Sequence, residues 1–119
     1  RFIRVIALPV FVLLATASSV FAAGGSVTLE RIKSSGQLVL GTSGNMPSMT
    51  QLDAEEKVSG FDIDMALFMA QVMGVKLVPK VMPFDQLLSA LKSGEVDVVI
   101  SNMTITPKRN LEVAFVGPY

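Results

Sequence analysis

Val96-Asp97-Val98-Val99-Ile100-Ser101-Asn102-Met103-Thr104-Ile105-Thr106-Pro107-Lys108-Arg109 changes character three times in a short distance. Val96 to Ile100 is an apolar run broken only by Asp97, which reads as a strand buried on both faces. Small polar residues follow. Thr106-Pro107 then marks a helix start, with threonine as the cap and proline at the first helical position. Arg109 falls in the first turn. A strand that ends in small polar residues and feeds a helix N-terminus is well suited to hold a small carboxylate. Thr104 and Thr106 offer hydroxyls, the helix opens with free N–H groups, and Arg109 supplies a planar fork for two oxygens. The same residues also read as a strand, an ordinary turn and a capped helix with Arg109 in solvent. The stretch by itself does not separate the two.

The segments upstream set the context. Thr28 can cap a short helix, Leu29 to Ser34, stopped by Gly36. Gln37 to Thr42 reads as a buried strand, and Ser43 to Met49 as a loop marked by Gly44, Asn45 and Pro47. Asp53 to Ser59 looks like the turn of a small hairpin. Asp62 is expected to cap a helix ending before Gly74, with Ile63, Ala66, Leu67, Ala70 and Met73 as its core face. A second strand starts near Gly74 and runs to Pro79. Phe84-Asp85-Gln86 opens another helix that stops at Gly94, and Val113 to Val116 is expected as a fourth strand. Strands alternating with helices imply an α/β sandwich on a largely parallel sheet. Ligands of such sheets bind outside the carboxyl ends of the strands. The loops Thr42 to Met49 and Ser101 to Thr106 both lie at such ends. The methionines are expected as adaptable core filler.

Composition narrows the classes. Half of the 119 residues are apolar, too many for a disordered chain. Part of that apolar weight is the N-terminus. Arg1 and Arg4 precede an apolar run, Val5 to Ala15, and Val20-Phe21-Ala22 fits a small-x-small cleavage site. Residues 1–22 are therefore expected to be a cleaved secretory signal, the run being shorter than the ~20 residues that cross a bilayer. There is no cysteine and no histidine, which excludes disulfides and makes a metal site improbable on chemistry. No cofactor is expected. Lacking a cysteine for lipid attachment, the mature protein is expected free in the periplasm. The ten basic and ten acidic residues balance; without Arg1 and Arg4 the remainder is acidic by two. No basic patch points to nucleic acid.

Five motifs in order then give a family resemblance. Leu29 to Leu38, Gly60-Phe61-Asp62-Ile63-Asp64-Met65-Ala66, Phe84-Asp85-Gln86-Leu87-Leu88 with Leu91 to Asp97, Thr104 to Arg109, and Phe115-Val116-Gly117-Pro118-Tyr119 together resemble the extracellular solute-binding proteins of the amino-acid ABC-transporter class, family 3. The resemblance implies a type II periplasmic-binding-protein clamshell, in which two α/β lobes close on one amino acid and deliver it to a membrane permease. Residues 23–119 would be most of the first lobe. The second lobe, the carboxylate that usually holds the ligand ammonium and the segment that returns to the first lobe would lie beyond Tyr119. Such a protein would be a monomer that catalyses nothing.

By the same resemblance, Arg109 would hold the ligand's α-carboxylate and Thr104 would donate to it. The Asn102 carbonyl would accept from the ammonium, Ser101 would line the pocket floor, and Phe84 would pack on the ligand side chain. Met46 stands where many relatives carry an aromatic residue. A thioether forms no cation–π platform, which disfavours a cationic amino acid. Phe61 is expected in the core and Asp62 as a structural cap. The same scaffold also serves cyclohexadienyl-type dehydratases and sensor ectodomains, so an enzyme or a receptor domain is the alternative.

Overall fold

The computed structural model describes residues 26–119; the signal segment 1–22 and the lobe boundary at 23 lie outside them. The first helix, α1, spans Val27–Ser35. Its cap is Ser26, two residues earlier than the expected Thr28: the Ser26 hydroxyl accepts from the Leu29 N–H and its carbonyl from the Glu30 N–H. Gly36 ends the helix at φ 67°, the left-handed position glycine occupies without strain.

The strand β1, Gln37–Thr42, is the middle of a parallel sheet. On one side lies β5, Lys76–Val81, paired along the whole of β1. On the other lies β6, which is shorter than the Val96 to Ile100 run suggests. Only Val98–Val99 forms regular ladder. The cause is Asp97, whose carboxylate takes the Val39 N–H at 2.9 Å while its own N–H donates to the Val39 carbonyl at 2.8 Å. A side chain thus replaces a ladder bond, and the chain rejoins β1 at Ile100, whose N–H reaches the Gly41 carbonyl.

A second, antiparallel sheet rises from the β1 end. It consists of β2 (Asn45–Met46), β3 (Thr50–Leu52) and β4 (Val58–Ser59) in that order. The segment expected as loop therefore contains a strand, because Asn45 and Met46 pair with Gln51 and Thr50. The expected hairpin is β3–β4, its turn closed by the Asp53 carboxylate, which accepts from the Glu55 and Lys57 N–H groups.

Helix α2, Phe61–Met73, begins at Gly60 and not at Asp62. No side chain caps it. The loop before it does so, since the Phe61 and Asp62 N–H groups donate to the Ser48 and Met49 carbonyls. That approach needs glycine: a Cβ at position 60 would sit 2.5 Å from the Met49 oxygen, at φ 124°. Asp62 lies inside the first turn and is fully buried. Ala66 and Ala70 are the buried stripe, with Ile63 and Met73 beside them, and they pack on Leu38, Leu40, Ile32 and Ile100. Leu67 and Phe61 were expected in that core and are exposed. Leu67 lies at the rim of the apolar stripe, and Phe61 turns away to stack on Tyr119 at 6.3 Å.

Phe84–Gln86 forms one 3₁₀ turn and runs into α3, Leu87–Ser93, which buries Leu87 and Ala90 and ends at Gly94. Helix α4, Pro107–Asn110, starts as expected behind Thr106, whose hydroxyl accepts from the Arg109 N–H at 3.2 Å. The expected strand at Val113–Val116 does not form. No described strand lies beside it, and Val116 is 95% exposed.

Candidate functional site

The carboxyl ends of β1 and β6 are bound to each other before either loop leaves the sheet. The Ser43 N–H donates to the Ser101 hydroxyl at 3.0 Å, and the Ser101 hydroxyl donates to that of Ser43 at 2.9 Å. Beside them the buried Thr42 hydroxyl donates to that of Thr50, which fixes the base of the small sheet to β1. Both loops therefore start from a braced base. Ser101 is 1% exposed, so its side chain sits under the rim and its hydroxyl is already used.

Above that base, two small groups of candidate residues form. In the first, the Asn102 carboxamide donates to the Met46 sulfur at 3.3 Å, joining the β6 loop to β2. Asn102 has φ 50°, a left-handed backbone that asparagine tolerates better than most residues. In the second, the Arg109 guanidinium donates to the Thr104 carbonyl at 2.9 Å and lies 5.7 Å above the centre of the Phe84 ring. The cation is thus held on two sides, by a carbonyl and by an aromatic face, and among the described residues the rest of its fork has no hydrogen-bond partner. Thr104 is exposed. Arg109 comes from α4, Phe84 from the 3₁₀ turn and Thr104 from the loop between. Arginine, threonine and phenylalanine meet because Thr106 caps α4 and turns Arg109 back along the chain.

One residue that sequence reasoning left out of the site touches it, Tyr119, and two more, Phe61 and Asp62, stand behind it. The Asn102 N–H donates to the Tyr119 hydroxyl at 3.0 Å, and the Tyr119 ring stacks on Phe61. Next to that phenol lies Asp62, whose buried carboxylate oxygens make no hydrogen bond of good geometry among the described residues. Burial pushes the Asp62 carboxyl above the ordinary aspartate range, and the nearby Tyr119 hydroxyl acts the other way. Burial also raises the Tyr119 phenol; the Asn102 N–H opposes that rise and the Asp62 charge adds to it. No spacing in the sequence signals this group, because Tyr119 is far from Phe61 and Asp62 along the chain. Asp97 did carry a signal, being the one charge inside an apolar run.

The arrangement can grip an anion from one side and accept a hydrogen bond on the other, and it is open. A surface groove of about 620 Å³ runs along β5 and α3 between Lys80 and Glu95, and none of the six candidate residues lines it.

Comparison with known proteins agrees with this architecture. Residues 38–119 match the family described as bacterial extracellular solute-binding proteins, family 3, and the chain belongs to that family. Its fold is that of the first lobe of type II periplasmic amino-acid-binding proteins. Among solved structures, the arginine-bound form of domain 1 of TmArgBP, from T. maritima, superposes with a TM-score of 0.72 at 42% identity, over 75% of this chain and 71% of that one. An ancestral cyclohexadienyl dehydratase gives a TM-score of 0.74 at 30% identity, over 80% of this chain and 39% of that one. The L-cystine-binding protein TcyJ of Escherichia coli K12 is 32% identical over 91 residues, which are 76% of this chain and 34% of that protein. The chain spans about a third of the length of the curated relatives it matches.

Proposed function

We propose that this chain is the first jaw of a periplasmic amino-acid-binding protein that captures its ligand and passes it to an ABC-transporter permease, as a monomer and without chemistry. The observation that carries the reading is the Arg109–Thr104–Phe84 group: a guanidinium pre-aimed by a backbone carbonyl and an aromatic face, at the carboxyl end of a parallel strand. In this reading Arg109 and the Thr104 N–H and hydroxyl take the α-carboxylate. The Asn102 carbonyl accepts from the ammonium, Phe84 and Met46 contact the ligand side chain, and Ser101 supports the floor from beneath.

Relatives named for arginine and cystine binding support an amino acid as the ligand class. Met46 offers apolar, adaptable contact and no cation–π platform. The fully buried Asp62 is the one acid beside this jaw's Asn102–Tyr119 contact. These two facts favour a ligand whose side chain is recognised by shape over one recognised by charge.

The experiment is a thermal-shift screen of the full-length protein against the twenty common L-amino acids and L-cystine, repeated with Arg109→Ala. Loss of one side of a buried charge-assisted pair costs roughly 2–5 kcal/mol, so the variant should keep its unliganded melting temperature and lose ligand stabilisation. Stabilisation that survives Arg109→Ala would show the carboxylate grip to be elsewhere.

A further inference from the structure

The Phe61, Asp62 and Tyr119 cluster touches the proposed site at one atom, the Asn102 N–H. Residues 111–119 form no helix or strand. They are held by the Lys92–Glu112 ion pair at 3.1 Å and, further on, by Tyr119. Its ring lies on Phe61 and its hydroxyl on Asn102.

The hydrogen-bond accounting around the phenol is unusual. A phenol oxygen carries one proton and two lone pairs. One lone pair takes the Asn102 N–H, which leaves the proton to be directed elsewhere, and the Asp62 carboxyl is near enough to influence the phenol. Beside it, Asp62 is fully buried with two acceptor oxygens and no donor. Buried polar atoms without partners are rare in folded proteins. The one needs an acceptor and the other needs a donor.

Asn102 has the complementary problem. Its left-handed backbone, φ 50°, is a conformation that persists in a non-glycine residue when its surroundings over-determine it. Three restraints do so here: the Tyr119 hydroxyl on its N–H, the Met46 sulfur on its carboxamide, and the Ser43–Ser101 hydroxyl pair immediately before it. The orientation of the Asn102 carbonyl follows from that backbone.

From this we infer that Tyr119 is a positioning residue for the Asn102 peptide, its hydroxyl accepting the Asn102 N–H and directing its own proton to the Asp62 carboxylate, so that one phenol ties the start of α2 to the ligand-facing loop. The binding consequence rests on the proposed function, in which the Asn102 carbonyl receives the ligand ammonium. Without the tie, Asn102 relaxes toward an ordinary backbone and its carbonyl leaves the ligand.

Tyr119→Phe in the full-length protein tests this, because it keeps the ring on Phe61 and removes only the hydroxyl. Without ligand, the Asn102 amide should exchange its hydrogen roughly tenfold faster while the amides of β1 keep their rates. In calorimetry with whichever of the twenty common L-amino acids or L-cystine stabilises the wild type most, binding should weaken roughly tenfold, the worth of one well-placed hydrogen bond. The Asn102→Gly background separates positioning from direct contact. Glycine takes the left-handed backbone without strain, so there Tyr119→Phe should weaken binding less than threefold. Unchanged Asn102 exchange overturns the inference, and so does an equal loss of affinity in both backgrounds. A wild type that binds none of these amino acids overturns the proposed function instead, while the exchange rates still decide the Tyr119–Asn102 tie.

Discussion

Asp97 is the residue on which the base of the site should prove most dependent. Its side chain is 3% exposed and accepts the Val39 N–H in the middle of β1 at 2.9 Å. Its other oxygen pairs with the Arg31 guanidinium, which also donates to the Gly94 carbonyl. One carboxylate thus joins α1, the end of α3 and the β1–β6 ladder. Asp97→Ala leaves a central strand N–H buried and unpaired. Loss of a hydrogen bond to a charged acceptor costs about 1.5–3 kcal/mol. The ion pair adds less than about 1 kcal/mol, because Arg31 is 43% exposed and screened by water. Together these give roughly 2–4 kcal/mol, or a fall of at least several degrees in melting temperature. Asp97→Asn keeps an acceptor for Val39 and should cost about 1 kcal/mol, close to Arg31→Ala. Urea denaturation followed by circular dichroism on the full-length variants measures all three. If Asp97→Asn is as damaging as Asp97→Ala, or Arg31→Ala exceeds both, the carboxylate matters through its charge and not as a replacement for a ladder bond.

Two further outcomes follow from the α2 entry. Gly60→Ala places a Cβ 2.5 Å from the Met49 oxygen at φ 124°, so it should cost more than about 3 kcal/mol in the same denaturation assay; a loss below 1 kcal/mol means the loop can withdraw. Asp62 has a folded-state pKa raised above 3.8 by burial, so its stabilising contribution is complete below that value and is lost as pH rises through the raised one. Asp62→Asn, neutral throughout, should therefore gain on the wild type as pH rises above about 4; a difference that stays flat with pH refutes a buried, ionising carboxyl.

What the sequence disclosed and what it concealed divide along a physical line. Elements with their own local signals were legible: Gln37–Thr42 as a strand, the glycine stops at Gly36, Gly74 and Gly94, and Thr106-Pro107 as a helix start. Errors arose where a distant partner decides the outcome. Asp62 has the composition of a cap, yet the Ser48 and Met49 carbonyls had already taken the N–H groups it would have served. Val113–Val116 has the composition of a strand and no neighbour to pair with. Phe61 has the composition of a core residue and stacks on a ring almost sixty positions away. In the candidate site, the Thr106 cap and the nearness of Arg109 to Thr104 were legible because one short segment carries them. The Tyr119–Asn102 contact was not, because it exists only after the chain has folded back.

The charge balance of this jaw bears on how it would hold a zwitterion. In the proposed reading, Arg109 would supply a full positive charge for the carboxylate and the Asn102 carbonyl only a neutral acceptor for the ammonium. A desolvated ammonium without a carboxylate partner is costly to bury, so this jaw favours the anionic end of a ligand and leaves the cationic end toward solvent. Hinge closure onto a second lobe would then do electrostatic work as well as exclude water, by bringing up the missing negative charge. An open jaw of this kind has less need of a deep pocket than of an accurately aimed arginine. The Thr104 carbonyl, the Phe84 face and the Thr106 cap provide that aim, each acting on a different part of the same residue.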